Sequence, residues 1–514
     1  MNDYSFGNFV STLRLRRGLS QKELGALVGV SNKAVSKWEN GAAKPQTEIC
    51  RRLANVLGIT LDELLACKYH SAKNAEKGIF AMNAENWEKA RQRMLDLYGD
   101  TPPLEVLERF ETEKLQFKDG NFIAVMSFLG TLANEIKAEG GVTFARGEIG
   151  NSFVAWLLGA TNANPLPPHY YCSNCKQFEL IPDAVDGWDL PPKRCSCGSH
   201  LKGDGHRLPS AMLYQNHWNS YEYSIPGKFL PRARELIFEI FHNSINVYRA
   251  ELTDVSNHST ETFVLLPDSA CSDIPPTTDV LKLDSNILYH KYGNYTRVLF
   301  HHTDWEDLVY ALSRRTNWMP YQTPYLSLNA IDTVKEGGPL QPYYDRQREI
   351  SAKEHPEFPL DMKRDFPHNL NTLSCSYFSD LLRILGICHG TYKDCNEVNT
   401  PQRLFTLRED MYEMIQKKLL KKGISGDGMA VKFTNLLRKG HLSEKRISTT
   451  HEQELLAIGL TPEQLEEMKR VYYLFPKAHV VNEMQNYLIL GWYAVKYPEE
   501  FKAVLLTMNA STTI

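Results

Sequence analysis

The sequence predicts an α+β protein, predominantly helical, in which a small all-α domain precedes a larger mixed module carrying a zinc ribbon. Three observations predict it. The first seventy residues are short apolar-periodic segments separated by capping residues, and four of the ten cysteines fall between Cys172 and Cys197. The stretch from Trp87 to about Gly140 also keeps a helical period before the strand-like "GVTFARG". A chain of 514 residues has enough apolar side chains for two or more domains. Lys+Arg 58 against Asp+Glu 61 is nearly balanced, so any nucleic-acid contact must come from local patches rather than net charge. No apolar run approaches a membrane span, and "MNDYSFGNFVSTLRLRRG" lacks a signal-peptide core. The expectation is a cytoplasmic protein with no membrane partner. Clustered rather than paired cysteines fit a reduced compartment with one metal site.

Residues 1–67 form the first domain. Ser20 and Glu23 make a capping box, and Leu24, Leu27 and Val28 follow at helical spacing. Gly29 closes that helix, and Ser31 caps the next, Asn32 to Asn40, which Gly41 terminates. Two helices joined by a turn of about four residues place the second in a major groove. "SQKELGALVGVSNKAVSKWENG" resembles the Xre/Cro family of helix-turn-helix domains, and the resemblance runs from about residue 8 to 66. It implies that Ala26, Val30, Val35 and Trp38 are core. It also implies that Asn32, Lys33, Ser36 and Lys37 reach bases or phosphates, with Gln21 and Asn40 as phosphate clamps. Nine Lys/Arg against six Asp/Glu give residues 1–67 a modest basic excess. Amide, hydroxyl and lysine side chains are the types that read base edges, which favours double-stranded DNA over a purely protein-binding bundle.

The polar, aperiodic "KYHSAKNAEKG" (68–78) reads as a hinge, and 68–84 as the linker. Beyond it come helical segments, then the strand entering the glycine-containing turn "ARGEIGNS". Cys172-x-x-Cys175 and Cys195-x-Cys197 lie about twenty residues apart, near the spacing of a four-cysteine zinc ribbon. Such a ribbon spans 169–206, and a closed tetrathiolate makes its zinc structural.

"LYGDTPPLEVLERFETEKL", "RGEIGNSFVAWLLGATNANPLPPHYYCSNC", "DLPPKRCSCGSHLKGDGHRLP" and "NVYRA" together resemble PolC-type replicative DNA polymerases of the bacterial C family. "FSDLLRILGICHGT", "LLRKGHLS", "FPKAH" and "GWYAVKYP" continue the resemblance in the same order. It implies a nucleotidyltransferase-type palm with thumb over 85–330 and helical fingers over 331–514.

Nucleotidyl transfer needs two metal ions held by carboxylates. The resemblance puts two palm aspartates at Ser220 and Glu222, and the third within Arg297 to His301, where there is no carboxylate. Asp284, in "LKLD", lies too early in the chain to substitute. At the phosphate turn, Glu148 and Asn151 replace two of the family's serines, so the carboxylate is expected to repel a triphosphate unless a metal or Arg146 neutralises it. No catalytic residue is assigned. Arg146, Ser152, His389, Lys477 and His479 are left as residual contacts to nucleotide or primer-template.

The leading expectation is a DNA-binding transcriptional regulator with a pseudo-polymerase body, able to form a homodimer. One alternative is a divergent polymerase using magnesium with Glu222, Asp284 and another acid. The other is a polymerase mimic that engages replisome proteins.

Overall fold

In the computed structural model the capping signals of the first seventy residues are used as read. It describes residues 6–16, 19–57, 61–66, 72–117, 121–215, 219–241, 245–252, 260–266, 271, 274, 280–283, 295–322, 330–354, 366–372, 375–389, 406–424, 426, 428–438 and 447–511. The head consists of α1 (Phe6–Arg16), α2 (Gln21–Val28), α3 (Asn32–Glu39), α4 (Thr47–Leu57) and α5 (Leu61–Ala66). Ser20 Oγ accepts from the Glu23 amide at 3.2 Å, while a Glu23 carboxylate oxygen accepts from the Ser20 amide at 2.7 Å. Ser31 Oγ caps α3 through the Ala34 amide. Leu24, Val28, Val35 and Trp38 join Val10, Leu13, Leu53 and Leu57 in one core, each worth about 1.5–3 kcal/mol when fully buried.

Two expected core residues of the head differ. Ala26 is exposed and Val30 only half-buried. The inward side of α2 is the Leu24/Val28 pair with Gly25, and a helix of eight residues turns Ala26 and Leu27 outward.

The chain divides into two compact units: residues 1–89, 119–132 and 216–303 form one, and 90–118, 133–215 and 304–514 the other. The stretch expected as a linker is instead helical from Ala72, at the start of a helix that continues to Tyr98. Its lysines, its alanines and Glu76 are good helix formers, and polarity alone does not end a helix.

Besides the head, the first unit holds a mixed sheet. Its strands run in the order Asn219–Ser224, Thr296–His301, Thr260–Leu266, Asn246–Leu252, Val280–Leu283. The first two are parallel, with Ser220 opposite Arg297 and Glu222 opposite Leu299. Thr296–His301 is antiparallel to its other neighbour. Phe128, Phe241, Phe263 and Phe300 meet edge to face at about 6 Å and are fully buried. They fasten one face of the sheet to Leu230–Phe241 and to Phe128's helix, fixing the strands that carry the expected catalytic positions.

The second unit is built around the helix Lys477–Lys496. Fifteen of its twenty residues are buried, on every side, which marks a central helix rather than a surface one. Gly491 permits this: a Cβ there would lie 2.1 Å from Thr333 Cγ2. The ribbon is a small sheet in the order Phe178–Leu180, His169–Tyr171, His200–Asp204, Lys193–Arg194.

Candidate functional site

On the head, Asn32, Lys33, Lys37 and Asn40 are exposed and Ser36 is half-buried, so the outward face of α3 carries the predicted residue types. Gln21 is already engaged: its Nε2 donates to Glu39 at 2.8 Å. Glu39 also receives the buried Arg14 through Nε and Nη2 at 2.5 and 2.9 Å. Asn40 turns its Oδ1 to the Ala42 amide at 3.1 Å. These two expected clamps therefore tie the head together, whereas the lysines stay in solvent.

In the sheet of the first unit, Ser220 and Glu222 are two apart and share a face. The neighbouring strand answers them with nitrogen side chains rather than carboxylates. Arg297 Nε donates to Ser220 Oγ at 2.8 Å, and His301 Nε2 stands 3.1 Å from Glu222 Oε2. Alternation along the two parallel strands thus brings a guanidinium and an imidazole to positions where a metal-binding palm concentrates carboxylates. A fixed guanidinium raises the electrostatic cost of holding a divalent ion beside it. Asp284 lies outside the described residues.

The turn of the second unit differs from expectation. Gly147 takes a left-handed conformation (φ 63°), and its amide donates to His479 Nδ1 at 3.0 Å. Glu148 does not face outward. It is buried and paired with the buried Arg408, which also donates to the Leu474 carbonyl. The neutralising group is therefore Arg408, 260 positions away, rather than Arg146. Arg146 instead lies over the Phe144 ring, 5.4 Å from its centre. Asn151 is fully buried, donating to Glu409 at 3.0 Å.

Ser152 serves the fold. Its Oγ caps Phe153–Leu157 through the Ala155 amide at 3.0 Å and donates to Glu113 at 2.8 Å. Glu113 also accepts from the amides of Phe153 and Val154, so an internal carboxylate occupies the helix N-terminus. Lys477 is buried, with Nζ 3.4 Å from Asp410 and its own amide on Glu409 at 2.6 Å. Burial raises the Glu409 carboxyl, partly offset by Arg408 and these amides.

His389 and His479 converge on one carboxylate. His389 Nε2 lies 2.8 Å and His479 Nε2 3.7 Å from Glu483, while the His389 ring stacks on Phe475 at 3.9 Å. Burial alone would raise the Glu483 carboxyl, but the two imidazoles and Arg146 hold it below its usual value. Arg408, Glu113 and Glu483 are not legible in the sequence, because the contacts that join them to Glu148, Ser152 and His389 cross long chain separations that local spacing does not encode.

The four predicted thiolates do come together. Their sulfurs all lie within 4.8 Å of one another, with Cys172 to Cys197 at 3.6 Å and Cys175 to Cys195 at 3.3 Å. Tetrahedral Zn–S bonds of about 2.3 Å set sulfur separations of about 3.8 Å, so the cluster could hold a metal such as zinc. The Cys175 amide points at Cys172 Sγ (3.5 Å) and lowers that thiol, while hydrogen bonds from Ser199 hold Cys197 down at about 5. Both shifts favour the thiolate that a metal requires, whereas Cys175, although the Gln177 amide lowers it, is pushed up to about 12 by its hydrogen bond with Cys195. The apolar cluster around the sulfurs is small: Tyr170 and Leu201 are buried, with Ile181 and Leu190 packed against them.

Comparison with known proteins matches both parts. A family model described as Helix-turn-helix covers residues 10–64. DNA polymerase III PolC-type of Thermotoga maritima is 26% identical over 480 residues, covering 81% of this chain and 34% of that protein. The Mycoplasmopsis pulmonis protein of the same name is 25% identical over 509 residues (86% and 34%), and that of Staphylococcus aureus 24% over 529 residues (91% and 35%). The chain thus joins a helix-turn-helix domain to a region similar to PolC-type polymerases, and spans about a third of the length of those relatives. Among the described residues no helix is long and apolar enough to cross a membrane.

Proposed function

We propose that this chain is a DNA-binding regulator whose helix-turn-helix head recognises a duplex site and whose polymerase-like module does not transfer nucleotides. The observation that carries the second half is the pairing in the sheet: Ser220 with Arg297, and Glu222 with His301. One carboxylate held by an imidazole, beside a guanidinium, is a poor seat for two divalent ions. The first half rests on the exposed Asn32, Lys33 and Lys37 of α3. Zinc in the four-cysteine ribbon is structural in this reading, because four thiolates leave no open position.

Selection of duplexes from a random pool by the full chain tests the DNA half. A defined site is expected, two-fold if the chain dimerises, with affinity falling steeply as salt rises. Lys37→Ala is expected to weaken all duplexes alike, whereas Asn32→Ala relaxes preference at one base position, by about 1–3 kcal/mol of discrimination. Equal, salt-insensitive binding by wild type and an Asn32/Lys33/Lys37 triple alanine variant would overturn this assignment.

A further inference from the structure

The second unit contains an open cleft of about 820 Å³ between the ribbon sheet and the helical core, distinct from the phosphate turn and the cysteine cluster. Its lining combines three chemistries. Trp156, Tyr171 and Trp188 present half-buried rings. Asn134 and Asn162 offer amides that can both donate and accept. Arg93, Lys137 and Lys202 supply cations against one lining carboxylate, Asp204. That carboxylate is committed to the fold, since its oxygens accept from Asn164 Nδ2 and the Gly205 amide, each at 2.8 Å.

Lys137 is the informative residue. Its ammonium donates to Asn162 Oδ1 at 3.0 Å and sits 4.5 Å from the centre of the Tyr321 ring, with no carboxylate partner among the described residues. Burial pulls it down to about 8. A sheltered cation facing a cleft without a counter-charge is a poor structural element and a good anion receptor. Trp156 is held flat against Phe153, 5.7 Å between centres and 16° between planes, so its position is fixed before any ligand arrives.

We infer that this cleft binds a nucleotide unit, with the base on Trp156 or Tyr171, its edge on the asparagine amides, and the phosphate on Lys137 with Lys202 or Arg93. Aromatic faces accept any base, and the cations neutralise phosphate. The site is independent of the head and of the sheet positions discussed above. The same unit could come from a free nucleotide or from a single strand, so both are tested.

Calorimetric titration of the full chain with dATP, with inorganic phosphate, and with a short oligothymidylate decides. Saturable binding of dATP or of the oligonucleotide is expected, with phosphate alone weaker. Trp156→Ala and Lys137→Met are each expected to lose about tenfold in affinity. Should Lys137→Met fail to fold, Arg93→Ala with Lys202→Ala, both at exposed positions, gives the same readout. Lys33→Ala and Lys37→Ala in the head leave dATP affinity unchanged. Binding of dATP alone assigns a free nucleotide, and binding of the oligonucleotide alone assigns a strand. No saturable binding of either probe, or binding that these cleft variants leave intact, overturns the inference.

Discussion

Arg408→Met is expected to destabilise the second unit by about 3–5 kcal/mol, the cost of removing one member of a buried ion pair. The Arg408 side chain is 2% exposed and pairs with that of Glu148, which is 6% exposed. It also offsets the burial penalty of Glu409. Replacing both members, Glu148→Met with Arg408→Met, should recover part of the loss, since an apolar pair of similar volume is often tolerated where a lone charge is not. Recovery stays incomplete because Glu409 still lacks its cation. The deficit should also depend on pH. Glu409 is already raised above its unfolded value, so its protonated form favours the folded state, and stability falls as pH rises through its folded pKa. Removing Arg408 raises that carboxyl further, so the deficit shrinks on acidification from about pH 7.5 to about pH 5. Denaturant melts of the three proteins at both pH values check this. A single variant that melts with wild type at both would contradict it.

Removing the ribbon metal is the second large effect. One zinc per chain is expected by elemental analysis, lost in Cys172→Ser. The ribbon's own core is too small to fold unaided, and structural zinc in small fingers is worth about 10–16 kcal/mol of apparent binding energy at neutral pH. Cys172→Ser and exhaustive chelation should therefore both melt the ribbon and loosen the second unit, while the head keeps its helices and its DNA affinity. Protein purified without chelator that contains no zinc would remove this claim.

The parts legible in sequence were those written in local spacing. Ser20–Glu23, Ser31 and Gly29 punctuate the head within four residues of their partners, and the cysteines announce themselves as two close pairs. The correspondence of Ser220 and Glu222 with Arg297–His301 also emerges, because each lies on a short segment flanked by recognisable residues. The structure adds that these strands are neighbours. What stayed hidden depends on distant partners. Glu148 reads as an intruding charge until Arg408 is found beside it, and Ser152 reads as a phosphate donor until Glu113 is seen to occupy the helix N-terminus. Ala26 differs for another reason: the family resemblance implies a core position, but a small apolar side chain is tolerated on either face of a short helix, and here it is exposed.

The proposed absence of nucleotidyl transfer therefore rests on the sheet positions and not on repulsion from Glu148. Primer extension by the purified full chain on a primed template, with all four deoxynucleotides and either magnesium or manganese, tests this directly. No extension is expected, and none after Ser220→Asp with Glu222→Asp, because the Arg297–His301 strand still supplies a guanidinium and an imidazole where a third acid is needed. Template-directed incorporation by the wild type that disappears in Glu222→Gln would contradict it.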